Sequence, residues 1–221
     1  MKTFNITLTG ETPLLLHQDN VPWSDRLKRW QKDPENKANS VAGDDRSPAW
    51  TWIGSLYHDG KMVTISSDNI MTSIREGGAK CPTGKRTETY KRHTQSGLIV
   101  NETDWPIVLG DGRTVPYEPI KALLAEDDYE VHERVADELG FELFAKRARV
   151  GQSKHVRVRP RFNAWSASGT ITLLDEEMID KTVLERILEQ SGNRCGLGDW
   201  RPSAPRSPGS FGRFTAVVSP A

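Results

Sequence analysis

Val156-Arg157-Val158-Arg159 alternates apolar and basic residues with period two. That spacing belongs to a β-strand with both arginines on one side. A register slip of one residue would turn them inward, and burying unpaired guanidinium groups is costly. The arginine face is therefore expected to look outward, where it can meet phosphate.

This strand sits in a longer basic run. From Lys146 to Arg161 there are seven Lys or Arg and no carboxylate, and from Lys80 to Arg92 there are five against Glu88 alone. Residues Glu118 to Glu142 are the opposite, with nine acids against Lys121 and Arg134. Over the whole chain 30 Lys and Arg balance 30 Asp and Glu, so the zero net charge hides segregation. Such a chain is expected to carry a basic face, which attracts phosphate, and an acidic face, which docks onto a neighbour's basic one. A solvated surface of each sign is the plainer reading. The strand-like spacing of the basic run favours nucleic-acid contact.

Around that run the pattern alternates between strands and helices. Phe4-Asn5-Ile6-Thr7-Leu8 reads as a half-buried strand, followed by the short buried run Leu14-Leu15-Leu16. Residues 18–48 are polar and read as an inserted loop in which Ser24 caps a short helix carrying Leu27 and Trp30. Trp50 to Tyr57 alternates and is expected to pair with Lys61 to Ile65 across His58-Asp59-Gly60. Ser67 or Asp68 is expected to cap a helix from Asn69 to Glu76, ended by Gly77-Gly78. Residues 79–96 read as a second exposed loop. Leu98 to Val100, Ile107 to Leu109, Phe141 to Val150, Gly169 to Leu174 and Thr215 to Val218 read as strands, and residues 118–139 as partly helical. Asp180 to Gln190 is an amphipathic helix with Val183, Leu184, Ile187 and Leu188 inward, stopped by Gly192.

The order strand, helix, strand, strand, helix, glycine-rich loop, strand implies an α+β chain with a ferredoxin-like (RRM-like) antiparallel sheet, helices on one face, and inserted loops and hairpins. With 221 residues and no evident linker, a single domain spanning 1–221 is expected, with 18–48 and 79–96 as its insertions. Seven Trp, six Phe and four Tyr supply core anchors despite 27% charged residues. No window approaches the roughly 18 apolar residues of a membrane span, and the start has no uninterrupted apolar segment of a signal peptide. Cys81 and Cys195 cannot make a disulfide framework or hold zinc alone. A reducing cytoplasm is the expected compartment, with no membrane association and no cofactor or metal.

The tail is the sharpest feature. Gly196, Gly198, Gly209 and Gly212 accompany Arg201, Arg206 and Arg213 after a helix. Glycines let backbone N–H groups approach phosphate, and arginines give bidentate donors. Without the Lys-Ser/Thr of a P-loop, this is a poor nucleotide-triphosphate site. Trp200, Phe211 and Phe214 add rings that stack bases.

Helix, Gly196-Leu197-Gly198, Arg201-Pro202, then Gly212-Arg213-Phe214 and a strand resembles the glycine-rich loop of the RAMP superfamily, the RNA-binding ferredoxin-like proteins of CRISPR effector complexes. In this chain the loop is stretched by residues 203–208. Three further features resemble the backbone subunit that polymerises along the guide RNA. They are Thr12-Pro13-Leu14-Leu15 after the first strand, Ile65-Ser66-Ser67-Asp68-Asn69-Ile70 followed by Ile74-Arg75, and the strand of alternating arginines. The chain is also similar, over nearly its full length, to small phage-encoded proteins sharing Thr-Pro-Leu-Leu, Arg-Pro-x-Phe-x-x-Trp and Gly-Leu-Gly-Asp-x-Arg-Pro. The resemblance implies a sequence-tolerant single-stranded RNA- or DNA-binding protein that oligomerises head to tail along its strand, in the host cytoplasm if phage-encoded. Lys146, Arg147, Lys154, Arg157, Arg159, Arg161, Arg201 and Arg213 would hold phosphates. Trp200 and Phe214 would stack or wedge bases, and the four loop glycines would line the backbone track.

An enzyme is the runner-up. Some RAMP proteins are ribonucleases with a His as general acid or base, and His17, after the first strands, is the one weak catalytic candidate here. His58 beside Asp59-Gly60 is explained by a surface role, and His93 and His155 by their basic runs. Asp19, Asp25, Asp33, Asp44 and Asp45 match, under the resemblance, loop acids that cut RNA with a metal; a solvated, Asp-rich surface loop is the favoured explanation. A phage structural or host-takeover interaction protein is the third reading.

Overall fold

The computed structural model describes residues 1–41, 43–150, 152–206 and 208–221. Ala42, Gly151 and Ser207, which fall in the expected long loop, the basic run and the stretched tail, lie outside the described residues. The strands are β1 (Lys2–Gly10), β2 (Leu14–Leu15), β3 (Tyr57–His58), β4 (Val63–Ser66), β5 (Leu98–Val100), β6 (Asp104–Pro106), β7 (Val108–Leu109), β8 (Glu142–Val150), β9 (Ser153–Phe162), β10 (Trp165–Leu173) and β11 (Phe214–Pro220). The helices are α1 (Val21–Lys32), α2 (Ser67–Gly78), α3 (Lys91–Ser96), α4 (Glu118–Ala122), α5 (Tyr129–Glu138) and α6 (Lys181–Gln190). The chain is thus α+β with antiparallel sheets. Among the described residues no helix is long and apolar enough to cross a membrane.

Packing divides the chain into two compact units. One comprises Met1–Leu15, Thr64–Thr114 and Asn163–Ala221, and the other Leu16–Val63 and Val115–Phe162. Each is assembled from separate stretches, so no linker sequence marks a boundary.

In the first unit an antiparallel sheet runs in the order β11-β1-β10-β5, with β7 also on β10. Along the chain its parts come as β1, α2, β5, β10, α6, β11. The alternation in β1 buries Phe4, Ile6 and Leu8. Ile6 pairs with Gly169 on one side and Val218 on the other. Ser66 caps α2 by accepting the Asn69 N–H at 3.4 Å, one residue before the expected caps. Ile70 and Ile74 of α2 are buried, as are Leu184, Ile187 and Leu188 of α6. Burying each such side chain contributes about 1.5–3 kcal/mol. The opposite face of β1 and β10 carries hydroxyls paired across the ladder, Thr3 with Thr172 at 2.9 Å and Thr7 with Ser168 at 3.0 Å.

Two expectations for this unit need correction. Residues 79–96 are no simple exposed loop: Cys81, Tyr90 and Thr94 are buried, and α3 packs on α2. Their anchors are too sparse to make a period. Gly192 does not stop the chain's winding either. A π-type turn, Ser191–Cys195, follows α6, and the left-handed residue that ends it is Gly196, at φ +73°.

In the second unit β8 and β9 form a long antiparallel hairpin, paired from Glu142↔Arg161 to Val150↔Ser153. Its core joins Trp52, Phe141 and Phe162, with ring centroids 5.8 Å and 5.2 Å apart along that chain of contacts. The expected strand from Trp50 is instead a 3-10 turn, Ala49–Ser55. Trp50, Trp52, Ile53, Gly54 and Ser55 are all buried there, so the alternation of tryptophans does not describe a half-exposed strand. The Thr51 hydroxyl donates to the Pro48 carbonyl at 2.7 Å and tightens the turn. Asn20, not Ser24, caps α1, accepting the Trp23 N–H at 3.1 Å. Pro22 sits in the first turn, where its missing N–H is harmless.

Candidate nucleic-acid interface

The β8–β9 register fixes where the basic run points. Lys146 lies opposite Arg157, and Arg149 opposite Lys154. Lys146, Arg147, Arg149 and Lys154 are exposed. Toward the base of the hairpin the arginines have carboxylate partners. Arg157 donates to Asp45 at 2.7 Å, and Arg159, 8% exposed, donates to the same carboxylate at 3.2 Å. The Val158 N–H supplies a third bond to Asp45 at 3.2 Å. Arg161 pairs with Glu142 and covers the Phe144 ring at 4.6 Å. Arg157 and Arg159 therefore share one side of β9 as their spacing requires, but that side is closed by Asp45, so Arg159 is not the outward phosphate donor expected. Asp45 is brought there because the Gly43 carbonyl and the Asp45 N–H bond the two backbone groups of Val156, at 2.8 and 3.0 Å. Next to it, the Arg46 guanidinium holds the Asp44 carboxyl below the usual carboxylate range.

In the first unit the glycine-rich loop closes on itself. Gly198 and Gly212 lie at φ +73° and +70°. A Cβ on Gly198 would stand 2.1 Å from the Leu15 carbonyl oxygen, and one on Gly212 would stand 1.9 Å from that of Leu197. Gly212 lets the loop backbone approach itself, and Gly198 lets it approach β2 at Leu15. The N–H groups of Gly196, Leu197, Asp199, Gly209 and Gly212 donate to Ser191, Gly212, Leu15, Arg201 and Pro13 carbonyls. Arg201 donates to Glu76 at 3.2 Å and to the Gly198 carbonyl at 3.3 Å, while Ser203 also binds Glu76. Arg213 donates to the Asn193 carbonyl. Phe214 is 2% exposed and meets Trp165 edge-on at 6.5 Å, so its ring serves the core and cannot stack a base. Trp200, half-buried at φ +47°, lies 6.3 Å from Phe211. Arg206 is exposed. The thiol of Cys195, buried behind this loop, is pushed up to about 11 by desolvation.

The histidines separate by environment. His17 is exposed at a cleft of about 280 Å³ that Arg157, Arg159, Asp45 and Trp23 also line. Its Nε2 lies 3.3 Å from Arg159 Nη2. Because guanidinium only donates, that contact makes Nε2 the acceptor and leaves the ring proton on Nδ1. His58 stacks on Tyr117 at 3.7 Å, His93 lies 3.5 Å from Glu88, and His132 is buried. Of the loop acids, Asp25 pairs with Lys28 at 3.6 Å and Asp33 caps the turn Pro34–Asn36. Among the described residues no three His, Cys, Asp or Glu side chains are grouped to hold a metal.

A second cleft in this unit, about 560 Å³, is lined by Arg26, Arg29, Trp30, Asp33, Trp50 and Asp127, with Asn36 and Leu124. Arg26 stacks over Trp50 at 4.7 Å and Trp23 at 5.3 Å. Its signal in the sequence is Trp23, Arg26 and Trp30 at helical spacing, masked by the polar composition of residues 18–48. No protein-family model matches this chain, and no curated protein matches it.

Proposed function

We propose that the chain is a sequence-tolerant single-stranded nucleic-acid-binding protein of RAMP type that assembles head to tail along its strand in the cytoplasm. The observation that carries this reading is the exposed cationic end of the β8–β9 hairpin, with Lys146, Arg147, Arg149 and Lys154 and no carboxylate between residues 146 and 161. The β11-β1-β10-β5 order, with α2 and α6 in the two connections, supports a ferredoxin-like sheet as its frame. Arg206 of the glycine-rich loop adds an exposed cation. Arg159 and Arg201, held by Asp45 and Glu76, brace these elements.

The test is anisotropy titration of labelled single-stranded DNA and RNA across salt, with imaging for filaments or rings. Four neutralised phosphates per subunit give a log–log salt slope of about −3. Arg147→Glu with Lys154→Glu should weaken binding to every sequence alike and flatten the slope by about 1 to 2. Salt-independent binding, or none at low salt, overturns the reading.

A ribonuclease is the second reading, favoured by His17 standing beside Arg157 and Arg159 at one cleft. A general base flanked by cations suits phosphodiester cleavage once His17 Nε2 is released from Arg159 to take the proton. Cleavage of labelled strands with and without magnesium, abolished by His17→Ala, would establish it. Intact strands after prolonged incubation would remove it.

A further inference from the structure

We propose that the cleft beside α1 is a subsite for one nucleobase, with Trp30 as the stacking platform and Arg26 and Arg29 as its donors. The inference rests on the strand-binding reading above and gives that reading a base-holding element that the tail cannot supply through Phe214.

Trp30 differs from the other tryptophans. Trp23 meets Trp50, Trp52 meets Phe141, Trp165 meets Phe214, Trp200 meets Phe211, and Trp105 is fully buried. Among the described residues Trp30 has no ring or cation against it, is half-buried, and lines an open cleft. A flat indole left in that state offers a π-face that any base can cover.

The surrounding groups favour a base over a bare anion. Arg26 is held in place over Trp50 and uses one donor on the Leu124 carbonyl at 3.5 Å. A guanidinium has five N–H donors, so others remain to face the cleft. The side chains of Arg29 and Asp127 make no hydrogen bond or ion pair among the described residues. With Asp33 the cleft carries two cations and two carboxylates. Inorganic phosphate gains little from a site of zero net charge. A base edge, with ring acceptors and an exocyclic amine, uses both signs: arginines donate to its acceptors and the carboxylates accept from its amine. Adenine and cytosine are therefore expected to bind better than uracil or thymine, whose edges present carbonyls and one imide N–H.

The probe is 2-aminopurine, carried within an oligothymidylate in one arm and as the free nucleoside monophosphate in the other. Its fluorescence is expected to be quenched in both arms. Trp30→Leu should weaken both about tenfold, Trp30→Phe should retain most of the binding, and circular dichroism should be the same for both variants. Adenosine monophosphate should displace the probe at least several-fold better than uridine monophosphate, and inorganic phosphate should not compete. Strand binding that Trp30→Leu leaves unchanged overturns the subsite and leaves the coating reading standing. Capture of the monophosphate but not the strand keeps the subsite, as one for free nucleotides, and removes the coating reading. Equal competition by inorganic phosphate, or no quenching in either arm, overturns the subsite.

Discussion

The Trp52 indole N–H donates to His132 Nδ1 at 3.0 Å in the core of the second unit. The other ring nitrogen, Nε2, lies 2.9 Å from the Glu126 carbonyl and carries the proton that bond needs. Both nitrogens are satisfied only while the imidazole is neutral. Protonation would set an N–H against the indole N–H, and burial already holds His132 below the ordinary imidazole range.

Acid should therefore weaken the fold through this residue. The unfolded imidazole takes up its proton near pH 6.5, while the folded one resists until lower pH. The unfolded state then binds more protons, so stability falls as pH drops below about 6.5, until the folded group also titrates. Urea unfolding at pH 7.5 and 5.5 should show a loss from this residue of at most about 1.4 kcal/mol. His132→Gln can accept from Trp52 and donate to Glu126 without titrating, so its pH dependence over that range should be smaller. Equal pH dependence of the two proteins would contradict the assignment.

Asp45→Ala should be far more damaging than Asp44→Ala. The first leaves Arg159 buried without its carboxylate, a loss of about 3 kcal/mol or more. The second removes a local pair whose arginine is 50% exposed and whose carboxylate also accepts the Arg46 N–H at 3.0 Å, worth about 1 kcal/mol. Chemical denaturation of the two variants side by side measures the difference.

Gly212→Ala should destabilise the first unit by about 2 kcal/mol or more, because a Cβ there meets the Leu197 carbonyl oxygen at 1.9 Å. Gly112, at φ +86° in the same unit with nothing within 4 Å of a built Cβ, is the control. Its alanine variant should lose only about 1 kcal/mol, from backbone conformation alone. Thermal melts that rank the two the other way would refute a packed loop.

Both cysteines should resist thiol reagents in the native protein. Burial raises both thiols, that of Cys195 to about 11. At pH 8 Cys195 would be almost entirely thiol. Ellman's reagent should react slowly until urea is added, then with two equivalents per chain. Rapid native labelling of either would show the loop region opening.

Much of the frame is legible in the sequence because it lies at the boundary of core and solvent. Strand β1 and helices α2 and α6 each bury one side, so their periods show, while β9 keeps its alternation although Asp45 buries Arg159 on the arginine side. Ala49–Ser55 hides because it is buried nearly all round, where tryptophan spacing carries no period. Chemical pairing is harder to read than structure. Asp45 and Arg157 are separated by 112 positions, and only the ladder at Val156 brings them together. The glycine-rich tail reads as a loop, yet its N–H groups find partners at Pro13 and Leu15, from the opposite end of the chain. Phe214 shows the same gap: its motif marks a ring, and only the fold shows that Trp165 claims it.

The chain passes from one compact unit to the other after residues 15, 63, 114 and 162. The second unit therefore consists of two segments, neither of which contains all of its core: Trp52 comes from the first, His132, Phe141 and Phe162 from the second. A ribosome must finish residue 162 before that core can close, and residue 220 before the last strand of the first unit can. Neither unit can be cloned as a single continuous fragment, and a proteolytic nick in either leaves no intact half to isolate. Dissecting this protein calls for point substitutions or circular permutation, not truncation.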